Sequence, residues 1–331
     1  MFVLRRVVQH GSVANEVVIV CSRVLSERYP RAVRIVSLLP SATEIICALG
    51  GGGELVGISH ECDFPDEVRD RPVLTRSRIE VGSSSKAIDR AVRAVIRDAL
   101  SIYEVDERTL AELAPDVIVT QDLCEVCAVS LEDVRAAVAR LAHRDRVQVV
   151  SLQPTRLADV LGDVERVGVA IGRNGSAVRA GLEMRIGAVA QRATHASTRP
   201  RVITLEWIEP LMIGGTWMPE LVELAGGIAI GATAGAPAPT IDVQMLGASR
   251  PDVVVIKPCG FSIERTLAER DVIERAIAGL AARVYVTDGN AFFNRPGPRL
   301  VESLEILAAC VHPEQFDDFA AKHAESIVRI A

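Results

Sequence analysis

The groups with the greatest chemical reach are His60-Glu61-Cys62-Asp63 and the pair Cys124-Glu125-Val126-Cys127. Two thiols at C-x-x-C spacing either chelate a soft metal or cycle as a dithiol. A structural zinc wants four ligands and the pair supplies two, so His60 and Cys62 are the natural complement. If the loops carrying them meet, His60, Cys62, Cys124 and Cys127 form a tetrahedral N/S set suited to zinc. The competing reading is that free cysteine packs as a small buried hydrophobe. A thioredoxin-like role does not suit the pair, which follows a strand and Gln121-Asp122-Leu123 rather than opening a long helix directly.

Aromatic residues form a second set. Trp207, Trp217, Phe292 and Phe293 fall at or near strand ends in the latter part of the chain, with Glu206 and Glu209 flanking the first tryptophan. Such rings grip a flat hydrophobic ligand, or else pack a core. Asn290, Asn294 and Arg295 bring donors beside the phenylalanines. Arg295 suits phosphate or amide groups of a ligand, and suits equally the carbonyls of its own proline-rich loop. Hydrolase signatures of the G-x-S-x-G, H-E-x-x-H and P-loop kinds are missing. Gly50–Gly53 follows a helix and so reads as its cap, not as a phosphate cradle. A non-catalytic protein is expected.

These groups need elements to position them. Arg34–Leu39 reads as a strand ended by Pro40, and Ser41 with Glu44 matches an S-x-x-E capping box. A short helix follows, then the glycines, then the strand Leu55–Ser59, which delivers His60–Asp63. Asp116–Thr120 is nearly all apolar, as a buried parallel strand should be, and ends at Gln121 and Asp122. In open α/β sheets ligands sit outside the carboxyl ends of strands. Residues 156–196 lack proline and keep helical spacing, which predicts one long helix with a soft spot at Gly172–Gly175. Strands recur at Arg201–Leu205, Asp252–Ile256 and Val284–Thr287, and a last helix at Arg299–Cys310. The fold class is α/β: two Rossmann-like lobes joined by a long backbone helix, with a ligand cleft between the lobes. The boundaries are an extension at 1–32, a first lobe at 33–155, the connecting helix at 156–196 and a second lobe at 197–331.

Length and composition agree with two domains. The chain has 331 residues, 49% of them hydrophobic, with a net charge of −6 and no basic run, which argues against nucleic acid as a partner. Seven cysteines in such a chain are not a disulfide framework and fit a reducing compartment. No run reaches the ~18 apolar residues of a membrane span. Gln9, His10, Asn15 and Glu16 interrupt any export signal after Arg5 and Arg6, and Val20 is too large for a lipoprotein box at Cys21. A cytoplasmic location is expected.

SLLPSATEIICALG followed by VGISHECDFP resembles the opening of the cobalamin-binding, helical-backbone (class III) ABC-importer solute-binding proteins. The resemblance continues through DERTLAELAPDVIVTQ, RVITLEWIEPLMIGGTWMPELVELAGG, PDVVVIKP and TDGNAFFNRPGPRLVESLEIL, across roughly residues 33–310. It implies a cobalamin or related corrinoid held between the lobes, in transport or intracellular handling. On that reading Ser41, His60, Glu61, Gln121 and Asp122 line the first-lobe side. Glu206, Trp207, Glu209, Trp217, Asn290, Phe292, Phe293 and Arg295 line the second. It also implies an ABC permease as partner, docked through acids on both lobes. Glu107 stands at the first such position, but Gln244 occupies the second. Gln121 replaces a first-lobe ring. Two alternatives follow from these departures: an exported receptor for a metal chelate such as a ferric siderophore, and a cytoplasmic metalloenzyme using the His/Cys set with Glu61 or Glu206.

Overall fold

Short runs of apolar residues, buried on both faces, build two sheets. The computed structural model describes residues 32–79, 84–97, 103–121, 131–141 and 144–331. The first half runs β1 (Ile35–Ser37), α1 (Pro40–Ala48), β2 (Leu55–Ile58), β3 (Thr75–Ser77), α2 (Ser85–Arg97) and β4 (Tyr103–Val105). It continues through α3 (Glu107–Leu113), β5 (Val117–Gln121), α4 (Leu131–Ala139) and β6 (Gln148–Leu152). Strands β2-β1-β5-β6 form a parallel sheet in that order. All five residues of β5 are buried, as an interior parallel strand requires. The chain reverses direction between β1 and β5, so the switch point where such sheets bind ligands lies at their carboxyl ends. Strands β3 and β4 pair with each other as a separate antiparallel ribbon.

The capping box does not form. Helix α1 begins at Pro40, with Leu39 as N-cap and no side-chain cap. Proline at the first helical position has its φ preset for a helix and no N–H of its own to satisfy, and Ser41 and Glu44 fall inside the helix.

Between the sheets, α5 (Leu157–Ile171) and α6 (Gly175–Ala193) replace the single long helix. Gly172 ends α5 in the left-handed region, φ 76°, and Asn174 caps α6 by accepting from the Ser176 N–H at 3.1 Å. A Cβ on Gly175 would stand 2.6 Å from the Val164 carbonyl oxygen and the Glu165 Cα, so only glycine lets the helices meet this closely. The helical spacing was real on both sides of the break. It belongs to two helices that bury separate faces.

The second half runs β7 (Arg201–Trp207), β8 (Leu211–Ile213), α7 (Met218–Leu224), β9 (Ile228–Ala229), β10 (Thr240–Ile241) and α8 (Val243–Ala248). Then come β11 (Val253–Ile256), α9 (Ile263–Leu267), α10 (Arg270–Ile277), β12 (Arg283–Thr287), α11 (Leu300–Val311), α12 (Asp317–Lys322) and β13 (Ile327–Arg329). Seven of these elements form the second sheet, ordered β10-β8-β7-β11-β12-β13 with β9 beside β7. Its centre, β7, β11 and β12, is parallel. Helix α5 packs on α1, β5 and β6, whereas α6 packs on α7 and α11, so the connector changes sheet at its break. Leu38 and Ile118 from one half and Leu205, Ile256 and Phe261 from the other belong to one buried apolar cluster. Among the described residues no helix is long and apolar enough to cross a membrane.

Candidate ligand site at the facing sheet edges

An ion-pair network joins the carboxyl edges of the two sheets. Asp63, beyond β2, accepts from Arg295 Nη1 at 2.5 Å, Arg295 Nη2 at 3.1 Å and Asn290 Nδ2 at 3.2 Å. Arg295 also donates to Asn290 Oδ1 at 3.1 Å and more distantly to Glu44 Oε1 at 3.4 Å. Glu44 is held chiefly by Arg299, at 2.6 and 3.0 Å. The Arg299 guanidinium also lies over the Phe64 ring, 4.1 Å from its centre. Burial pushes the Asp63 carboxyl up, but the Arg295 bonds and charge outweigh it and hold the group below the usual carboxylate range. Arg295 is therefore not a free ligand-binding cation; its charge is matched internally. Ser41 sits under Gly297 at the start of α1, and its buried hydroxyl has no hydrogen-bond partner among the described residues.

On the first-sheet side, His60 is fixed twice by one hydroxyl. Its backbone N–H donates to Thr75 Oγ1 at 3.0 Å, and Nδ1 lies 2.7 Å from the same oxygen. The Thr75 hydroxyl donates in turn to Ser59 Oγ at 3.0 Å, which makes Nδ1 the protonated nitrogen. Burial lowers the His60 pKa, so the ring is neutral at pH 7. The two ring centres of His60 and Tyr103 are 5.2 Å apart, tilted by 53°. Glu61 accepts from the Tyr103 hydroxyl at 3.0 Å, and burial raises its pKa against that bond and the charge of Arg295. Gln121 is buried at the end of β5.

Of the four candidate zinc ligands, the described residues include His60 and Cys62. Cys62 is buried, takes a hydrogen bond from the Thr43 hydroxyl at 3.0 Å, and has its thiol pushed up to about 12 by burial. A thiol so placed is a packed side chain and not a ready thiolate. Among the described residues no three His, Cys, Asp or Glu side chains gather to hold a metal. Asp122, Cys124 and Cys127 lie outside the described residues.

The second-sheet side is built on Lys257, which the sequence reading passed over. Its ammonium is fully buried, 2.7 Å from Asn294 Oδ1 and 3.3 Å from Glu206 Oε2. Glu206 also accepts from the Gly215 N–H at 3.2 Å. The signal was there: a lysine ending the apolar strand DVVVI marks a strand end that faces polar partners. Trp207 is half-buried, edge-on to Phe261 at 5.3 Å, and its buried indole N–H has no partner among the described residues. Glu209 reaches across to pair with Lys86 on α2. Asn290 and the half-buried Phe292 lie on the loop that carries Arg295.

Two of the expected aromatic ligand contacts are core residues. The Trp217 indole donates to the Phe293 carbonyl at 2.9 Å, and both side chains are buried. Phe293 occupies a left-handed turn, φ 63°, that points its ring inward. A separate surface groove of about 600 Å³ follows β3, β4 and the start of α3, lined by Val73, Arg76, Glu104 and Glu107. Apart from Thr75, it shares none of the polar groups at the facing edges. Glu107, the expected docking acid, is exposed and paired with Arg140.

No family model matches the chain. It is 24% identical over 301 residues to the vitamin B12-binding protein of Vibrio cholerae, which covers 85% of this chain and 89% of that one. Among solved structures it is similar to a periplasmic heme-binding protein from Pseudomonas aeruginosa, with TM-score 0.62, 20% identity, and 85% and 93% of the two chains covered. It is similar also to the periplasmic vitamin B12-binding protein of Vibrio cholerae, with TM-score 0.61, 18% identity, and 86% and 97% covered. The α/β, two-lobed fold is thus that of the class III solute-binding proteins.

Proposed function

We propose that this protein binds a cobalamin or related corrinoid between the carboxyl edges of its two sheets and performs no chemistry on it. The observation that carries the ligand class is the likeness, over 301 residues, to a vitamin B12-binding protein. The charge balance of the site supports it over a haem. Asp63 matches Arg295 and Glu206 matches Lys257, so neither cation is free for a ligand's anion. Haem presents carboxylates, which would have to compete with Asp63 and Glu206 for those cations. A corrin presents neutral amides, whose N–H groups suit Glu61 and Glu206 and whose carbonyls suit the unpartnered Trp207 N–H. An ABC permease as partner, and a cytoplasmic location, belong to the same proposal. Fractionation of cells expressing an epitope-tagged native gene tests the location.

The ligand reading is tested by calorimetric titration and by absorption spectra of desalted mixtures with cyanocobalamin, hydroxocobalamin and hemin. Both cobalamins should be retained and hemin should bind more weakly. Trp207→Ala should weaken cobalamin binding by ~1–3 kcal/mol. Absence of heat or retention for either cobalamin at ~100 μM, where binding is already as weak as about −5.5 kcal/mol, removes the corrinoid reading.

A further inference from the structure

Among the described residues, two polar joins between the facing edges differ in kind. The first is the Arg295–Asp63–Glu44–Arg299 network, whose Arg295 and Glu44 side chains are only 7% and 2% exposed. It ties α1 and β2 to the loop before α11, elements anchored in their own sheets. The second is made by α2 alone. The Ser85 backbone N–H and hydroxyl donate to the two carboxylate oxygens of Glu269, each at 2.5 Å, and Lys86 pairs with Glu209.

Glu269 is the N-cap residue of α10, yet its side chain makes no cap bond to that helix. It serves the first turn of α2 instead, where an anion is favoured by the free N–H groups and the helix dipole. Within α2 the local cap is weaker: Ser84 Oγ accepts from the Ala87 N–H at 3.3 Å. Helix α2 is also inserted between β3 and β4, strands that pair with each other and not within either large sheet. What holds α2 inward is Ile88 and Val92, both buried in the apolar cluster shared by the two halves. So a helix hung on a two-stranded ribbon has its N-terminus capped by the opposite half of the molecule.

We propose that α2 is the gate of the ligand site. The sheets stay joined through Arg295, and α2 swings on the β3–β4 ribbon when Ser85 and Lys86 release Glu269 and Glu209. As a gate for a ligand it rests on the binding reading above; as a moving element it does not.

The test is hydrogen exchange of the full chain, read by mass spectrometry on peptides from α1, α2 and α11. Glu269→Ala should speed exchange in α2 by about 5- to 30-fold, the range set by losing a helix cap. Peptides from α1 and α11 should be unchanged, which also certifies that the variant folds. Glu269→Gln, which keeps an acceptor but not the charge, should fall between. The same Glu269→Ala variant should release hydroxocobalamin several-fold faster in stopped-flow tryptophan fluorescence. Unchanged exchange in α2, or a rise shared equally by α1, α2 and α11, overturns the gate, the second outcome by making Glu269 part of a rigid clamp. Unaltered release of bound cobalamin from a variant whose α2 is loosened also overturns it. Failure of the wild type to bind cobalamin sinks the ligand reading instead, and the exchange result then stands as the judgement on α2 by itself.

Discussion

Replacing Arg295 with methionine keeps the stem of the side chain and removes the guanidinium that joins the two sheets. Breaking a buried ion pair from one side costs about 3–5 kcal/mol when the remaining charge is stranded. Two features reduce that figure here. Glu44 keeps Arg299, at 2.6 and 3.0 Å, so it is not stranded. The Asp63 side chain is 38% exposed, so water screens the carboxylate once Arg295 is gone. What is lost is a bidentate contact to Asp63 and one to Asn290, which sets the expected loss at about 2–3 kcal/mol at pH 7. With a urea slope near 3 kcal/mol/M for a chain of this size, the midpoint should fall by about 0.7–1 M.

The pH dependence gives an independent check. The Asp63 pKa is depressed in the folded protein, so its contribution is present above its unfolded value, about 3.9, and disappears as pH falls through the lower folded value. The gap between wild type and Arg295→Met should therefore be constant from pH 7 to about 5 and shrink below about 4. Asp63→Asn should lose less than Arg295→Met, and the double variant less than their sum, because the two share one interaction. A loss below about 1 kcal/mol at pH 7, or a gap that persists unchanged at pH 3, refutes the assignment of this network as the structural join.

Three other outcomes follow from the geometry. Gly175→Ala should destabilise by about 2–3 kcal/mol in urea, because the new methyl meets the backbone of Val164 and Glu165 and the helices must separate; a change under 0.5 kcal/mol would mean the crossing yields freely. Glu305 is held near a pKa of about 2: burial opposes its charge, but His323, Lys322 and Arg185 more than compensate. Glu305→Gln should cost about 2 kcal/mol at pH 7, progressively less as pH falls from about 4.3 towards 2, and should speed proteolysis within residues 312–331; equal proteolysis of the two proteins argues against it. In thiol labelling at pH 8, Cys259, which is exposed, should react at once, while Cys62 and Cys310, both buried with raised pKa values, should react only on unfolding; rapid labelling of native Cys62 contradicts its placement.

Which parts of this molecule were legible follows from what each depends on. DVIVT, RVITL and DVVVI read as strands to within a residue or two because an interior parallel strand is apolar on both faces, a property of its own residues. Two-stranded additions were not legible: IVR at 327–329 is strand β13 because the edge of β12 is there to pair with it, and nothing in three residues announces that. The aromatic set misled in part for the same reason. Trp217 and Phe293 stand near strand ends like Trp207, but ring direction depends on a turn at Phe293 with φ 63°, a conformation that sequence position does not encode.

Glu44 shows where local rules stop. Ser41 and Glu44 satisfy the S-x-x-E pattern, and for an isolated segment the pattern gives the right use for the carboxylate. Two facts outside the pattern cancel it. Pro40 starts the helix two residues earlier than a Ser41 cap would, and leaves no N-cap N–H in the right place for Glu44 to accept from. Arg295 and Arg299 then bring guanidinium groups from more than two hundred residues away in sequence, and a buried carboxylate takes a charged partner over a neutral amide. The same competition governs Glu269, which stands at the head of its own helix and caps another. In both cases a short acidic motif was legible as a carboxylate near a helix start, and the partner was decided by the meeting of the two halves. Acids that fit a local cap in this fold are therefore the first residues to test for contacts across the cleft, since a carboxylate released from its local role is available to hold the halves together.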